Sequence, residues 1–188
     1  MRLRAETAGL HRDIEGQLGL PQSITDLSSY CSCLVSYFRL YCPIEESLWA
    51  FADWSQIGIQ SQERRHSARL ARDLKALKVD CLLCDAATKE HLPPIPDFPH
   101  ALGVFYVLEG STLGGQFILR HLRAALGDSI DGADAFFNGH GSRSGLMWNA
   151  ARAAIDAYGE KHPEDCDGVI EGAASTFRAV GAWMASYA

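Results

Sequence analysis

The sequence predicts an all-α, single-domain helical bundle of about seven or eight helices. Three observations carry that prediction. Apolar residues recur at three- and four-residue steps over most of the 188 residues, whereas strand-like alternation never persists. Breaks between the periodic stretches are marked at Gly19 and Pro21, at the Pro93 to Pro99 run and at the Gly- and Asp-rich stretch over 127–143. A hydrophobic fraction of 47% over this length is enough for one self-sufficient core.

Leu3 to Leu18 reads as the first helix, stopped by Gly19 and Pro21. Ser23 is the expected cap of a second, in which Ile24, Leu27, Tyr30, Leu34, Tyr37, Phe38 and Tyr41 fall on one face. Pro43 is expected to open a third, short helix through Trp54. Glu63 to Lys78 follows, with Leu70, Leu74 and Leu77 on one side, and then a short helix around 81–91. Pro93, Pro94, Pro96 and Pro99 form an extended connector. It leads into a long helix over about 100–126, a Gly- and Asp-rich loop over 127–143 with one turn at Ala133 to Phe137, and two closing helices near 144–160 and 164–187.

The formal net charge of −6 argues against nucleic acid or an anionic membrane as the principal partner. Neither a signal peptide nor a transmembrane segment is expected, and the location expected is cytoplasmic. Of the six cysteines, Cys31, Cys33 and Cys42 occupy helical apolar positions and are expected as buried thiols. Cys81-x-x-Cys84 has half of a zinc-site spacing and no second pair to complete it.

Two constellations point to chemistry. Arg4, Thr7, His11 and Glu15 are spaced by three and four, so they line one face of the first helix. A carboxylate one turn from a histidine can orient its imidazole, as metal-ligating histidines require, and an arginine two turns away can hold a ligand carboxylate. A solvated polar face would give the same spacing. The second constellation is Gly110, Gly114 and Gly115, three glycines within six residues of an otherwise helical run. Each costs roughly 1 kcal/mol relative to Ala inside a helix. A kink, a close helix crossing or a flat ligand lying on the backbone would explain them.

Taken together, the two segments resemble the heme oxygenase family. Leu3-Arg4-x-x-Thr7-x-x-x-His11 is similar to the family's proximal pattern, and Tyr106-Val107-Leu108-Glu109-Gly110-Ser111-Thr112-Leu113-Gly114-Gly115 to the distal helix of bacterial, biliverdin-producing members, particularly those associated with bacteriophytochromes. Phe136-Phe137-Asn138-Gly139, Trp148 and Ala174-x-Thr176-Phe177 extend the likeness, so that it spans Leu3 to about Met184. The resemblance implies His11 as the iron ligand, Glu15 as the residue that orients it, and Arg4 facing a propionate. It also implies Thr7 and Phe177 beside the proximal side, and Gly110, Ser111, Gly114 and Gly115 as the distal platform. Heme b would be both cofactor and substrate, with O2 and an external electron donor. The products would be biliverdin, carbon monoxide and ferrous iron. A ferredoxin- or flavin-type reductase would supply electrons, since no flavin or nicotinamide fingerprint is present, and a bacteriophytochrome would receive the biliverdin. Neutral histidine suits ring oxidation, because a thiolate ligand favours O–O cleavage.

Two positions depart from the wider pattern. Ser111 stands where many members carry an acidic residue, which favours a rival reading as a heme-binding sensor or carrier. The second propionate anchor falls near Asn149 and Ala153, with Arg152 and Arg143 the nearest cations. A third reading is a non-heme relative, thiamin-degrading or di-iron. Glu63-x-x-His66 has one copy of a di-iron spacing and no second, so an exposed helical face is expected there. His91, His100 and His121 are expected at the surface, and His140 and His162 in or beside loops. Trp49, Trp54, Trp148 and Trp183 are expected in the core or at an interface.

Overall fold

The structure, a computed structural model, describes residues 2–80 and 86–186. The Cys81-x-x-Cys84 motif lies outside the described residues. Six helices of eleven residues or more and one single-turn helix make up the fold, with no strand among the described residues. They are α1 (Arg2–Leu18), α2 (Leu27–Leu48), α3 (His66–Ala76), α4 (Phe98–Leu126), α5 (Ala135–Asn138), α6 (Ser144–Lys161) and α7 (Cys166–Ala185).

The centre of the bundle is α4 laid against α7. Their backbones meet where neither carries a side chain. A Cβ on Gly103 would stand 2.1 Å from the Val169 carbonyl oxygen, and one on Gly172 would stand 2.2 Å from that of His100. Only glycine permits that approach. Phe98 to Ile130 is long and apolar enough to cross a bilayer by length and composition, but its residues from Ala101 to Glu109 are all buried within the bundle. α1 packs against α7.

Several elements differ from the sequence expectation, each for a traceable reason. α2 is capped by Asp26, whose carboxylate accepts from the Ser29 N–H at 2.7 Å, while Ser29 reciprocates. Ser23, the expected cap, instead lies in the preceding turn with its N–H on the Gly19 carbonyl. Pro43 does not open a new helix; α2 runs through it to Leu48. A proline there leaves the carbonyl four residues earlier without its donor. That carbonyl, on Arg39, accepts from the Ala87 N–H at 3.0 Å. Trp54 falls in a separate 3-10 turn. α3 starts three residues later than expected, because the Glu45 carboxylate of α2 caps it through the N–H groups of His66 and Ser67. Of the helix expected around 81–91, the described part holds a single 3-10 turn at Lys89–His91.

α4 opens at an Asp97 cap and ends at Gly127, where φ is +56°. The loop beyond it is pinned from below. The buried Asp73 carboxylate accepts from the N–H groups of Ala135 and Phe136 at 2.9 and 2.7 Å, which starts the one turn of α5. Tyr30 donates to the Ala133 carbonyl at 2.6 Å. These bonds aim Phe136 and Phe137 into the bundle.

Candidate functional site

A cavity of about 950 Å³ opens between α1 and α4. Arg4, Thr7, His11 and Glu15 line one wall, with Phe177 and Val180 of α7. Gly110, Ser111, Gly114 and Gly115 line another. The fold therefore brings every residue of the two sequence constellations to one space, although about a hundred positions separate them.

The α1 wall is open. The His11 side chain is 57% exposed, and its Nδ1 lies 3.5 Å from a Glu15 carboxylate oxygen, one turn on. The other ring nitrogen has no protein partner among the described residues. Phe177 meets the imidazole edge-on, with ring centroids 5.8 Å apart. Thr7 is buried and donates to the Leu3 carbonyl at 2.8 Å, so it shapes the wall without offering a free donor. Arg4 and Arg12 line the same side, and Arg152 of α6 lines the cavity beside Trp148. The locally basic rim contrasts with the net negative charge of the chain. Arg143 sits in the 3-10 turn before α6 and is not part of the lining.

The α4 wall shows that the three glycines serve different ends. The helix runs unbroken through all of them, so the kink offered as one explanation is not seen as an interruption. A Cβ on Gly114 would meet nothing within 4 Å. A Cβ on Gly110 would stand 3.3 Å from the Trp148 ring. One on Gly115 would stand 2.6 Å from the Phe137 carbonyl oxygen, so Gly115 is there for the α5 backbone more than for the cavity. Ser111 donates its hydroxyl to the Leu108 carbonyl at 2.7 Å, which leaves its lone pairs available.

Sequence reasoning missed the floor. Tyr37, Tyr41, His66, Phe136 and Phe137 form it. Burial raises the pKa of both tyrosines, and the Ser111 hydroxyl beside Tyr41 acts weakly the other way. His66 is 2% exposed, not part of the solvated face its Glu63-x-x-His66 spacing suggested. Burial first, then the neighbouring Arg69, His140 and Arg64, holds its pKa well below 6.5. Beneath lies a buried charged cluster. Glu109, 1% exposed, accepts from Arg64 at 2.5 Å and sits 3.1 Å from Nε2 of His140, whose Nδ1 is 3.0 Å from Arg69. The second Glu109 oxygen and Arg69 Nη1 have no hydrogen-bond partner among the described residues. No local pattern joins residues 64, 69, 109 and 140, so nothing in the sequence marked them as a unit.

The remaining candidates fall elsewhere. His121 is exposed, its ring 4.4 Å from that of Phe117. His91 is exposed and packs on Trp183, and His100 is half-buried with Nδ1 2.6 Å from Asp97. Cys31, Cys33 and Cys42 are half-buried, and burial pushes the Cys33 thiol up to about 12.

The donor set suits a planar, iron-bearing, dianionic ligand. One neutral nitrogen donor faces the cavity from α1, a stretch of α4 at Gly114 would admit a flat face against backbone, and arginines stand at the rim for carboxylates. The volume lies in the upper part of the range usual for cofactor sites, roughly 300–1,000 Å³.

Comparison with known proteins agrees with that geometry. The heme oxygenase family model matches residues 1–186. A heme oxygenase of Xanthomonas campestris pv. campestris (strain 8004) is 36% identical over 106 residues, which cover 55% of this chain and 59% of that protein. The match thus spans about three-fifths of the length of the curated relative. No solved structure matches the chain. With a family match over nearly its whole length, the chain belongs to the heme oxygenase family.

Proposed function

We propose that the cavity binds heme b and that the protein opens it with O2 and external electrons to biliverdin, carbon monoxide and ferrous iron. The observation that carries this reading is the confrontation, across one cavity, of a carboxylate-oriented imidazole and a helix surface free of side chains at Gly114. Bound heme would supply oxygen activation at its iron and would itself be the group oxidised.

The protein's part is to hold, orient and exclude. His11 would ligate the iron, with Glu15, beside Nδ1, holding the tautomer. The Phe177 edge limits rotation of the imidazole. Arg4, Arg12 and Arg152, which line the cavity, would hold the carboxylates of the bound ring and so orient it. On the opposite wall, the α4 backbone at Gly114 would admit the flat face of the ring. The Ser111 hydroxyl oxygen, its proton given to Leu108, could accept from water in the cavity, and Tyr37, Phe136 and Phe137 would keep bulk solvent out. Electrons come from a ferredoxin- or flavin-type reductase. The likeness of Tyr106 to Gly115 to phytochrome-associated enzymes supports delivery of biliverdin to a bacteriophytochrome, in the cytoplasm.

Aerobic single turnover tests this. Purified protein with stoichiometric hemin receives ferredoxin, its reductase and NADPH, with catalase to remove free peroxide. The expected result is a Soret band that decays as a bilin spectrum grows, with neither seen in His11→Ala; chromatography then names the isomer. Ser111, in place of an acidic residue, favours one other reading. A Soret band that persists under O2 and reductant, without bilin, would identify a heme-binding sensor or carrier.

A further inference from the structure

We propose that His66 is the acid–base residue of the cavity half that faces α1, relaying protons to the oxygen-reducing site. This rests on the heme-binding reading above.

His66 opens α3, and its backbone N–H is held by the Glu45 carboxylate at 2.6 Å, so the residue is fixed in place. Its ring lines the cavity yet makes no hydrogen bond to protein among the described residues. Tyr41 and Phe136 flank it edge-on, with centroids 5.7 and 6.3 Å away. A buried imidazole placed this way must find its partner in the cavity, in water or in a bound ligand.

Charged and titratable groups surround it on every other side. Tyr41 and Glu45 face it from α2, Arg64 and Arg65 precede it, and Arg69 lies one turn along α3. Glu109 and Ser111 come from α4, and His140 from the turn before α6. The nearby arginines disfavour a lasting imidazolium. Neutral imidazole carries one donor and one acceptor. It can take a proton on one nitrogen and release another from the second, and the cations behind it hasten the release. Reduction of oxygen to water consumes protons, and the Ser111 and Tyr41 hydroxyls do not ionise near neutrality. Of the side chains lining the cavity away from α1, His66 is the one whose chemistry fits the task.

The test uses hemin as the probe with wild type, His66→Gln and His66→Ala. Gln preserves volume and hydrogen bonding but takes no proton, which guards against a folding defect in the alanine variant. Imidazole NMR of the ligand-free protein is expected to show His66 still neutral below the ordinary histidine midpoint near 6.5. Both variants are expected to bind hemin with a normal Soret band. The pH midpoint of the ferric Soret shift should move by about one unit, and single turnover should slow on the order of 10²-fold. Unchanged midpoint and turnover in both variants would overturn the proposal, as would ordinary titration of His66 near pH 6.5. Absence of a Soret band in wild type would instead defeat the heme reading, and this proposal with it.

Discussion

The two long walls of the cavity are built on opposite plans. On α1 the charged and titratable groups that face the cavity are exposed and loosely tied, His11 and Glu15 being 57% and 67% exposed at 3.5 Å, whereas Leu3, Thr7 and Ile14 are the buried residues of that helix. Below α4 the polar groups are sealed. Glu45 and Asp73 each cap the start of another segment, and Glu109 binds Arg64 in the interior. One wall leaves its chemistry free for a ligand; the other spends it on holding the helix that the ligand must meet. His11 and Glu15 on the first should therefore control binding with little effect on stability, and the paired carboxylates below the second the reverse.

The sharpest way to break that contrast is Glu109→Ala. It strands the Arg64 guanidinium, buried and above the Phe105 ring, with one weak remaining acceptor in the Met147 carbonyl at 3.4 Å. The loss expected for an uncompensated buried charge is about 3–5 kcal/mol, read as a lower denaturation midpoint. A loss below about 1 kcal/mol would mean that the cluster is not the anchor of α4.

Within α4 itself the contrast can be drawn between adjacent residues. Gly115→Ala drives a methyl against the Phe137 carbonyl and should cost about 1–3 kcal/mol through a shift of α5. Gly114→Ala meets nothing within 4 Å and should leave stability equal or raise it by up to about 1 kcal/mol. Its effect should appear as weaker hemin binding in a Soret titration. If both variants lost stability alike, the division of labour between the glycines would be wrong.

What the sequence disclosed follows the same division. The alignment of Arg4, Thr7, His11 and Glu15 was legible because helical spacing is local. The all-α class was legible because the apolar period persists. The glycine cluster announced itself, but not that Gly115 serves α5 while Gly114 faces open space, since that depends on a loop more than twenty positions away. Gly103 and Gly172, which set the α4–α7 crossing, carry no marker as single residues. Pro43 misled because its cost is offset by Ala87, far along the chain. The single Glu63-x-x-His66 was read as surface because the burial of His66 is decided by Glu45, Tyr41 and Phe136, all distant in sequence.

The sealed side should also declare itself in acid. His66 has its folded pKa lowered by burial and the adjacent cations, whereas in the unfolded chain it titrates near 6.5. Below that pH the unfolded state binds a proton that the folded state refuses. Stability is then fully present above about pH 6.5 and falls as pH drops through the window down to the folded pKa, by at most about 1.4 kcal/mol per unit. Denaturation midpoints of wild type and His66→Gln between about pH 7.5 and 5.5 check the sign. The variant should lose part of the slope, and parallel curves would show that His66 takes its proton equally in both states.

The smallest expected effect belongs to the open wall. The His11–Glu15 pair is a solvent-exposed i,i+4 contact, so Glu15→Gln should change stability by less than about 0.5 kcal/mol. Its consequence should be confined to the ligand. Glutamine can still accept from Nδ1 but adds no negative charge, so the imidazole becomes a weaker donor to iron while its orientation is kept. The ferric hemin complex should form with an altered ligand-field spectrum and faster loss of hemin to a competing apoprotein, and Glu15→Ala should exceed it in both. A variant with unchanged hemin spectrum and dissociation would reduce Glu15 to a solvated neighbour. His11 would then be oriented by the Phe177 edge alone, and the α1 wall would be even less constrained than its exposure suggests.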